Sequence, residues 1–349
     1  MNAKHRSATL NRGHLDTGRR SSGDHGTVTA ADRILGCLQG IATGDAIGKQ
    51  SEMLAHTDVR RWYPHGIRGF EDAPGTVIPR YAGNSKHEWR IGETTDDTER
   101  TIAVARAIIA EGRVSHTSIG REMLTCRKCV HPGVRSLWEF HQAGDPARRA
   151  TEHDGCGAAI RVAPVGILYA PSALDELVIG AREAAISTHG GSLAIAAAAA
   201  TAAAVSAAID GAAPEQILGL AEQAAAQAES QWPGPSGPAM ANAIRAVHET
   251  LAGLPVLRAA DLAASCFPNR PLTIVPLALG LATVMRSAED AIALAANVGG
   301  DSDSVASIAG GILGALEPGT VNRRWCEIVE SVNAHNLVVL AGELARCRH

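Results

Sequence analysis

The sequence predicts an all-α protein, and its composition and its periodicity are the observations that predict this class. Of 349 residues, 46% are hydrophobic but only 3% are aromatic, and alanine is the largest apolar contributor. Small apolar side chains favour closely packed helices over a β-sandwich, which needs more β-branched and aromatic residues. No stretch alternates convincingly between apolar and polar residues over several strands. The length allows one large domain or two, with enough chain to bury a substantial core.

Residues 1–29 predict a disordered polar tail, which precedes one ordered domain at 30–349. The tail is rich in Arg, Ser, Gly and His, and it lacks the apolar segment of a signal peptide. Within the domain, periodicity and Pro or Gly stops predict helices at 31–48, from residue 95 to 112, at 119–130, within 154–168, and at 193–209, 213–234, 239–252, 272–296 (one or two helices), 305–316, 323–332 and 337–346. Residues 53–94 show little periodicity, which predicts a long functional loop.

The first predicted helix carries three glycines on one face. Gly36, Gly40 and Gly44 are four residues apart, so they form a single stripe along the helix. Each glycine costs on the order of 1 kcal/mol of helix stability relative to alanine, so three in register need a reason. We predict close backbone contact with a second helix, the one that carries Gly310 and Gly314.

The alanine-rich run from Leu193 to Ile209 predicts a central helix of a bundle. The run is short for a membrane span and is interrupted by Thr and Ser, so we predict no membrane partner. A net charge of −4 without a large basic block also argues against nucleic acid as the main partner.

Seven cysteines, an odd number without a framework spacing, fit a reducing cytoplasm, where we expect the protein to reside. Cys126 and Cys129 form a close pair, but only His131 lies nearby in the sequence. A zinc site would need more ligands, so we interpret the pair as incidental.

Two short acidic segments stand just ahead of apolar runs with helical periodicity. The first acidic segment is Thr95-Asp96-Asp97-Thr98, and the second, after Gly299-Gly300, is Asp301-Ser302-Asp303-Ser304. At a helix start, such carboxylates and hydroxyls gather at one end and form half of a site for a hard cation. Four carboxylates brought together without a cation would repel and raise one another's pKa. We therefore predict that the two segments meet around divalent metal.

Each acidic segment also has a purely structural interpretation. Asp96 with Glu99 three residues later fits a capping box, and Asp301 fits an ordinary N-cap after a Gly-Gly turn. An EF-hand is excluded, because Val305 and Ala306 stand where a ligand and the turn glycine are required.

A glycine-rich segment at 154–157 opens a helix of small residues. Gly155 and Gly157 would let backbone N–H groups approach a phosphate or a ribose. The dinucleotide fingerprint does not apply, because no convincing strand precedes the segment. His189, just ahead of the alanine-rich run, fits either a binding role or a capping and packing role.

Five motifs occur in order: Gly44-Asp45-Ala46-Ile47-Gly48 with Glu52; the first acidic segment; Gly155-Cys-Gly-Ala-Ala-Ile-Arg161 with Pro164; Thr188-His189; and Gly299-Gly300 with the second acidic segment. In this order, over roughly residues 31–345, they resemble the ADP-ribosylglycohydrolase family, the relatives of dinitrogenase reductase-activating glycohydrolase. The resemblance implies a compact, single-domain orthogonal helix bundle with a cleft for two Mg²⁺ or Mn²⁺ ions. It also implies hydrolysis of the glycosidic bond at C1″ of ADP-ribose.

The resemblance implies a role for each matching residue. The metal ligands would be Thr95, Asp96, Asp97, Asp301, Asp303 and Ser304. Glu52 would be the acid/base or water-orienting group, and Asp303 would take part in catalysis as well as in metal binding. Gly155, Cys156, Gly157 and His189 would contact the substrate, and Asp45 would support the ligands from behind.

The chain departs from the family pattern at several positions. Cys156 stands where the family usually has Asn, Ile160 where it has Met, and Thr94 where an aromatic residue commonly precedes the first acidic segment. Ser302 and Ser304 stand where it has Thr, and Ser304 still offers a hydroxyl oxygen. A thiol cannot make the hydrogen bonds of an amide, which suggests a modified pocket and a leaving group other than arginine.

Three functions stay open at this point. The first is a metal-dependent hydrolase of ADP-ribosylated proteins, at arginine or another side chain, or of an ADP-ribosyl small molecule. The second is a hydrolase of a small nucleoside-like N- or O-glycoside that uses the same metals. The third is a non-catalytic ADP-ribose-binding relative, against which the retention of all six ligands and Glu52 argues. The sequence leaves the substrate, the choice of Mg²⁺ or Mn²⁺ and the oligomeric state undetermined.

Overall fold

The computed structural model describes residues 28–70, 76–84, 86–235, 239–263 and 270–349. In these ranges the chain forms sixteen α-helices and a few 3₁₀ turns, with no strand beyond one isolated bridge between Val77 and Arg90. The predicted all-α class is therefore confirmed. Of the tail predicted for residues 1–29, residues 1–27 lie outside the described part. Thr29 is described, and its hydroxyl caps the first helix by accepting from the Asp32 N–H.

The helices are α1 (Ala30–Gly48), α2 (His56–Trp62), α3 (Asp96–Glu111), α4 (His116–Met123), α5 (Arg135–Ala143), α6 (Ala163–Leu168), α7 (Leu174–Ala185), α8 (Ser192–Ile209), α9 (Pro214–Gln231), α10 (Met240–Ala252), α11 (Ala259–Leu262), α12 (Pro271–Val284), α13 (Ala288–Val298), α14 (Ser302–Leu316), α15 (Arg323–Asn333) and α16 (Leu337–Cys347).

Several helices differ from the sequence-based expectation. The segment 53–94 is not loop throughout, since it contains α2, which buries only Val59. The patch predicted at 119–130 is instead α4, which begins earlier, at an N-cap by Ser115, and ends sooner. Helices α5 and α7 were not predicted. The span 272–296 divides into α12 and α13, and Ser287 starts α13 by accepting from the Asp290 N–H.

Helices α1 and α14 pack with their backbones in direct contact, as the glycine stripe predicts. A Cβ atom added at Gly36 or Gly40 would collide with the backbone carbonyl of Gly314 or Gly310, respectively. A Cβ atom at Gly44 would meet the carbonyl of Ala306 in the same way. Because glycine leaves room for this approach, the C-terminal end of α1, which carries Asp45, lies directly against the N-terminal end of α14, which carries Asp303.

The alanine-rich helix α8 is the centre of the bundle. It is long and apolar enough to cross a membrane by length and composition, but 89% of it is buried inside the protein. Its helical neighbours are α1, α6, α7, α9, α10, α12 and α14. Alanine side chains allow this close packing on every side, so the prediction of a central bundle helix is confirmed.

Candidate active site

The two acidic segments lie at the N-termini of α3 and α14 and line the same cleft. Helix α3 begins at Asp96, and α14 begins at Ser302, directly after Asp301. The cleft has a volume of about 500 Å³, and its wall includes Glu52, Asp96, Asp97, Asp301, Asp303, Ser304, Gly155, Cys156, Gly157 and His189. The charge of Asp301 raises the pKa of Asp97 and the Ser304 side chain opposes that rise, so the two segments are close neighbours. The cleft wall thus contains every predicted site residue except Thr95.

Thr95 is buried behind the wall and starts helix α3. Its hydroxyl accepts from the Asp97 N–H at 3.2 Å, which makes Thr95 the N-cap. The capping box considered for Asp96 and Glu99 is therefore wrong. Glu99 instead accepts hydrogen bonds from the backbone N–H groups of Arg127 and Lys128. The Asp96 carboxylate does not cap α3, because the Thr95 hydroxyl does so.

Asp45, near the end of α1, fixes the position of the first acidic segment. Its carboxylate accepts from the backbone N–H groups of Thr95 at 2.9 Å and Thr98 at 3.1 Å, and from the Thr98 hydroxyl at 2.5 Å. Burial raises the pKa of Asp45, and these hydrogen bonds partly oppose the rise. Asp45 therefore supports the cleft from behind instead of lining it.

The second acidic segment is fixed to the turn that follows α1. The Met53 N–H donates to the Gly300 carbonyl at 2.6 Å, and the Gly300 N–H donates to the Leu54 carbonyl at 2.8 Å. Gly299 and Gly300 both have positive φ, so this path is open to glycine at little cost. Ser302 adds a hydroxyl bond to the Gly48 carbonyl at 2.9 Å. Together these bonds place Glu52 and Asp301 on the same wall.

The carboxylates of the cleft are buried close to one another, and this proximity shifts their acidity. Burial raises the pKa of Asp97 well above its ordinary value, and the charges of Asp45, Asp301 and Glu52 add to the rise. Burial also raises the pKa of Asp303 well above its ordinary value, with the charges of Glu52, Asp301 and Asp97 adding to the rise. The Oδ2 atom of Asp97 is buried and has no hydrogen-bond donor. Such a group calls for a cation or a proton.

Two cations pair with the outer carboxylates of this group. Lys49 pairs with Glu52, and Arg100 pairs with Asp96 four residues earlier on α3. Among the described residues, no lysine, arginine or histidine forms an ion pair with Asp97, Asp301 or Asp303. In the same part of the chain, no three His, Cys, Asp or Glu side chains form a group that could hold a metal ion by themselves. Any metal site here would need the hydroxyls of the two segments, together with release of Asp96 from Arg100.

The glycine-rich segment and His189 also line the cleft. Beyond the backbones of Gly155 and Gly157 lies the His189 ring, into which a Cβ atom at either glycine would run. The His189 Nδ1 lies 2.7 Å from the Thr188 hydroxyl, and its Nε2 lies 3.4 Å from the Ser136 hydroxyl. Burial lowers the pKa of His189 well below 6.5, with Arg161 and Arg100 adding to the effect, so the ring is neutral.

A comparison with models of known protein families gives a match over nearly the whole chain. A family model described as ADP-ribosylglycohydrolase matches residues 26–348. The chain belongs to the ADP-ribosylglycohydrolase family. The match includes all sixteen described helices, so the family extends over the whole described helical part of the chain.

Some similar proteins are named for an activity, and others are named uncharacterized. An uncharacterized protein of Archaeoglobus fulgidus is 27% identical over 302 residues, which cover 85% of this chain and 91% of that protein. The ADP-ribosyl-[dinitrogen reductase] glycohydrolase of Rhodospirillum rubrum is 27% identical over 162 residues, 42% of this chain and 49% of that enzyme. The mouse ADP-ribosylhydrolase ARH3 is 24% identical over 329 residues, 81% of this chain and 83% of that enzyme.

Among solved structures, an "ADP-ribosylglycohydrolase-related protein complex" shares the fold. Its TM-score is 0.65 at 24% sequence identity, and the match covers 93% of this chain and all of that one. The fold and the family agree, so this member of the ADP-ribosylglycohydrolase family has the helical architecture that its motifs imply.

Two departures from the family pattern now have a structural description. Cys156 is buried in the cleft, and burial together with the charges of Asp301 and Asp97 raises its pKa well above 9, so it is a neutral thiol. Thr94 faces away from the cleft, because its hydroxyl contacts Asn333 at 3.2 Å and His335 at 2.9 Å. An aromatic ring nevertheless lies close to the cleft wall, because Trp89 packs on Lys49, which pairs with Glu52.

Sequence reasoning missed three charged residues around the cleft. The spacing of Lys49, three residues before Glu52, could have indicated an ion pair between them. The spacing of Arg100, four residues after Asp96 on the same helix, could likewise have indicated their ion pair. In the sequence, Arg161 stands out only as part of a motif. In the structure it is fully buried and donates to the Gly157, Ala184 and Ala185 carbonyls and to the Thr188 hydroxyl. It ties the glycine-rich segment to the residue before His189.

Proposed function

We propose that this member of the ADP-ribosylglycohydrolase family is a metal-dependent glycosidase that cleaves the C1″ glycosidic bond of ADP-ribose conjugates. The observation that carries the proposal is that both acidic segments, Glu52 and the glycine-rich segment with His189 line one cleft. The cleft therefore combines groups suited to a divalent cation, a carboxylate suited to proton transfer, and a backbone surface open to a sugar or a phosphate.

In this proposal two Mg²⁺ or Mn²⁺ ions bind in the cleft. Asp96, Asp97, Asp301, Asp303 and Ser304 line it and would offer oxygen, the donor that hard cations prefer, once Asp96 separates from Arg100. Thr95, which the family resemblance adds to the set, lies behind the wall and would reach an ion only if the start of α3 shifted. The unpartnered Asp97 Oδ2 and the raised pKa values of Asp97 and Asp303 fit the same conclusion, because a cation would relieve the repulsion that produces them. When bound, such ions supply a water of lowered pKa and hold the vicinal hydroxyls of the ribose.

The protein's own groups would perform the rest of the reaction. Glu52, at the cleft wall, would take a proton from the attacking water or return one to the leaving group. The carboxylates of Asp301 and Asp303 would stabilise positive charge that develops on the sugar ring in an oxocarbenium-like state. Gly155, Cys156, Gly157 and the neutral His189 would contact the ribose and the pyrophosphate.

The substrate class rests on the names of relatives and on the family. One relative is named for the removal of ADP-ribose from dinitrogen reductase, and another is named an ADP-ribosylhydrolase. By this analogy we propose an ADP-ribosylated protein or an ADP-ribosyl small molecule as the substrate and the cytoplasm as the location.

A release assay tests the proposal directly. Peptides ADP-ribosylated on arginine or on serine are incubated with the protein in Mg²⁺, in Mn²⁺ and in excess chelator, and free ADP-ribose is measured. We expect release only with metal, and we expect Asp97→Ala and Asp303→Ala to lose activity by a factor of about 10³ or more, since each removes both a ligand and a charge. Equal release with and without chelator would refute metal dependence.

Cys156 favours a second candidate function. A neutral thiol in the place of an amide gives the cleft fewer hydrogen bonds to a substrate, so a smaller nucleoside-like N- or O-glycoside is the alternative. The same assay on nucleosides separates the two. Turnover of nucleosides without release from ADP-ribosylated peptides would establish the alternative, and specific ADP-ribose binding without any turnover would identify a non-catalytic relative.

A further inference from the structure

Lys49 is a buried cation directly behind the cleft wall. It follows the last residue of α1, and its side chain is only 6% exposed. Its Nζ pairs with the carboxylate of Glu52, which is 23% exposed and lines the cleft. Burial alone would lower the pKa of Lys49, but the charges of Glu52 and Asp303 raise it above its ordinary value, so the ammonium group is charged.

An aromatic enclosure holds the ammonium group of Lys49 in place. The Nζ lies 4.1 Å from the ring centroid of Trp89 and 5.8 Å from that of Tyr81, within cation–π range. Both rings belong to the segment 76–91, whose arms are joined by the Ile78 N–H to Trp89 carbonyl bond at 2.8 Å and the Ile91 N–H to Thr76 carbonyl bond at 2.7 Å. A lysine surrounded in this way loses most of its conformational freedom.

The same segment also fixes the backbone of Glu52. Arg80 donates from Nη2 to the Glu52 carbonyl at 2.6 Å and to the Lys49 carbonyl at 3.2 Å, and from Nε to the Gln50 carbonyl at 3.2 Å. Glu52 is thus held twice, by Arg80 at its main chain and by Lys49 at its carboxylate. The carboxylate pairs with Lys49, and Glu52 is also part of the cleft wall.

From this geometry we propose that Lys49 is a positioning residue for Glu52, and that Trp89 supports it. Lys49 fixes the direction of the carboxylate toward the cleft, and the aromatic rings keep the ammonium group from turning to solvent. The proposal rests on the proposed acid/base role of Glu52. Lys49 does not line the cleft, so its main effect on turnover passes through Glu52, with a smaller electrostatic effect on Asp303.

A double-mutant cycle tests this dependence, with kcat and KM measured in Mn²⁺ on the best ADP-ribosylated peptide. Lys49→Met should lower kcat by about 10²-fold with little change in KM, which is the typical cost of a catalytic group misplaced by about 1 Å. In the Glu52→Gln background, measured at high enzyme concentration, the same substitution should change kcat by no more than about twofold. Equal losses in both backgrounds would show a merely structural role and overturn the proposal.

Two further variants control for charge and for folding. Lys49→Arg keeps the cation and its aromatic contact, so it should recover a large part of the lost kcat. Lys86→Met removes an exposed lysine from the same 76–91 segment and should leave kcat unchanged. A Lys86→Met loss as large as that of Lys49→Met would contradict the proposal, because it would show that any lysine removed from this region suffices.

Crystal structures of the wild-type and Lys49→Met proteins provide a readout that does not require activity. The Glu52 carboxylate should change its rotamer or lose order in the variant while α1 and the Arg80 contacts stay in place. An unmoved Glu52 would overturn the proposal. If the wild-type protein releases no ADP-ribose, the proposed function fails, and these two structures still decide whether Lys49 positions Glu52.

Discussion

Asp45 and Thr98 join the end of α1 to the start of α3, because the Asp45 carboxylate accepts from both the backbone N–H and the hydroxyl of Thr98. The same carboxylate accepts from the Thr95 N–H. A single buried acid therefore satisfies donors at the helix start that would otherwise have no partner. Asp45 thus fixes the position of three proposed metal ligands, Thr95, Asp96 and Asp97, without itself binding the metal.

Asp45→Ala should destabilise the protein and weaken metal binding together. Each buried donor left without an acceptor costs about 1–3 kcal/mol, so we expect a loss of several kcal/mol in the free energy of unfolding. Loss of such a supporting hydrogen bond typically lowers metal affinity by about 10–100-fold. Urea unfolding and calorimetric titration with Mn²⁺ measure the two effects, with Asp290→Ala, at an exposed position of α13, as the control. Wild-type Mn²⁺ affinity in Asp45→Ala would contradict the assigned role.

Gly40→Ala should destabilise the contact between α1 and α14. An added Cβ atom would collide with the Gly310 carbonyl, which belongs to the backbone and cannot turn aside. Overpacking of this kind costs about 1–3 kcal/mol, measured as a lower urea midpoint. Gly342→Ala is the matched control, because Gly342 lies inside α16 and a Cβ atom there meets nothing within 4 Å. That control should gain up to about 1 kcal/mol, so the two substitutions should have opposite signs.

His335 should make stability depend on pH below neutrality. Burial and the charge of Lys128 lower its pKa from 6.5 to about 4. The unfolded chain therefore takes up the proton first, so the stabilising contribution is complete above pH 6.5 and is lost as the pH falls toward 4. The full effect is about 3 kcal/mol at most.

The measurement for His335 is the difference between two pH profiles of stability. His335→Gln, which cannot titrate but can still bond to the Thr94 hydroxyl, should lose less stability than the wild type between pH 6.5 and 4. Parallel profiles for the two proteins would mean that His335 titrates normally in the folded state.

Arg161→Lys should loosen the side of the cleft that carries His189. The guanidinium group donates to the Gly157 carbonyl at 2.7 Å and to the Thr188 hydroxyl at 2.8 Å, and lysine cannot span the same set with one ammonium group. Hydrogen bonds from a charged donor contribute about 1.5–3 kcal/mol each, so a loss of several kcal/mol in the free energy of unfolding is expected.

The functional consequence of Arg161→Lys should be a higher KM for ADP-ribosylated peptide with a smaller change in kcat, because Gly157 and His189 contact the substrate in the proposed function. Arg121→Lys, at an exposed position of α4, is the control and should change neither quantity. A normal KM in a clearly destabilised Arg161→Lys protein would separate the role of Arg161 in folding from any role in binding.

The sequence by itself determined the helical class, the glycine contact between α1 and α14, and the two acidic segments. These features depend on local rules. Glycine spacing of four defines one helix face, alanine favours close packing, and polar residues ahead of an apolar run mark a helix start. The order of the five motifs then identified the family, which the family match over residues 26–348 confirms.

The tertiary structure decided which groups surround the acidic residues. The capping of α3 by Thr95, the pairing of Arg100 with Asp96, and the enclosure of Lys49 by Trp89 all depend on side-chain directions or on contacts between distant segments. Thr94 shows the same limit, because its orientation toward His335 is set by a contact 241 positions away in the chain. Local sequence rules carry no information about such distances, so only the folded chain shows that Glu52 is held from behind by a buried cation.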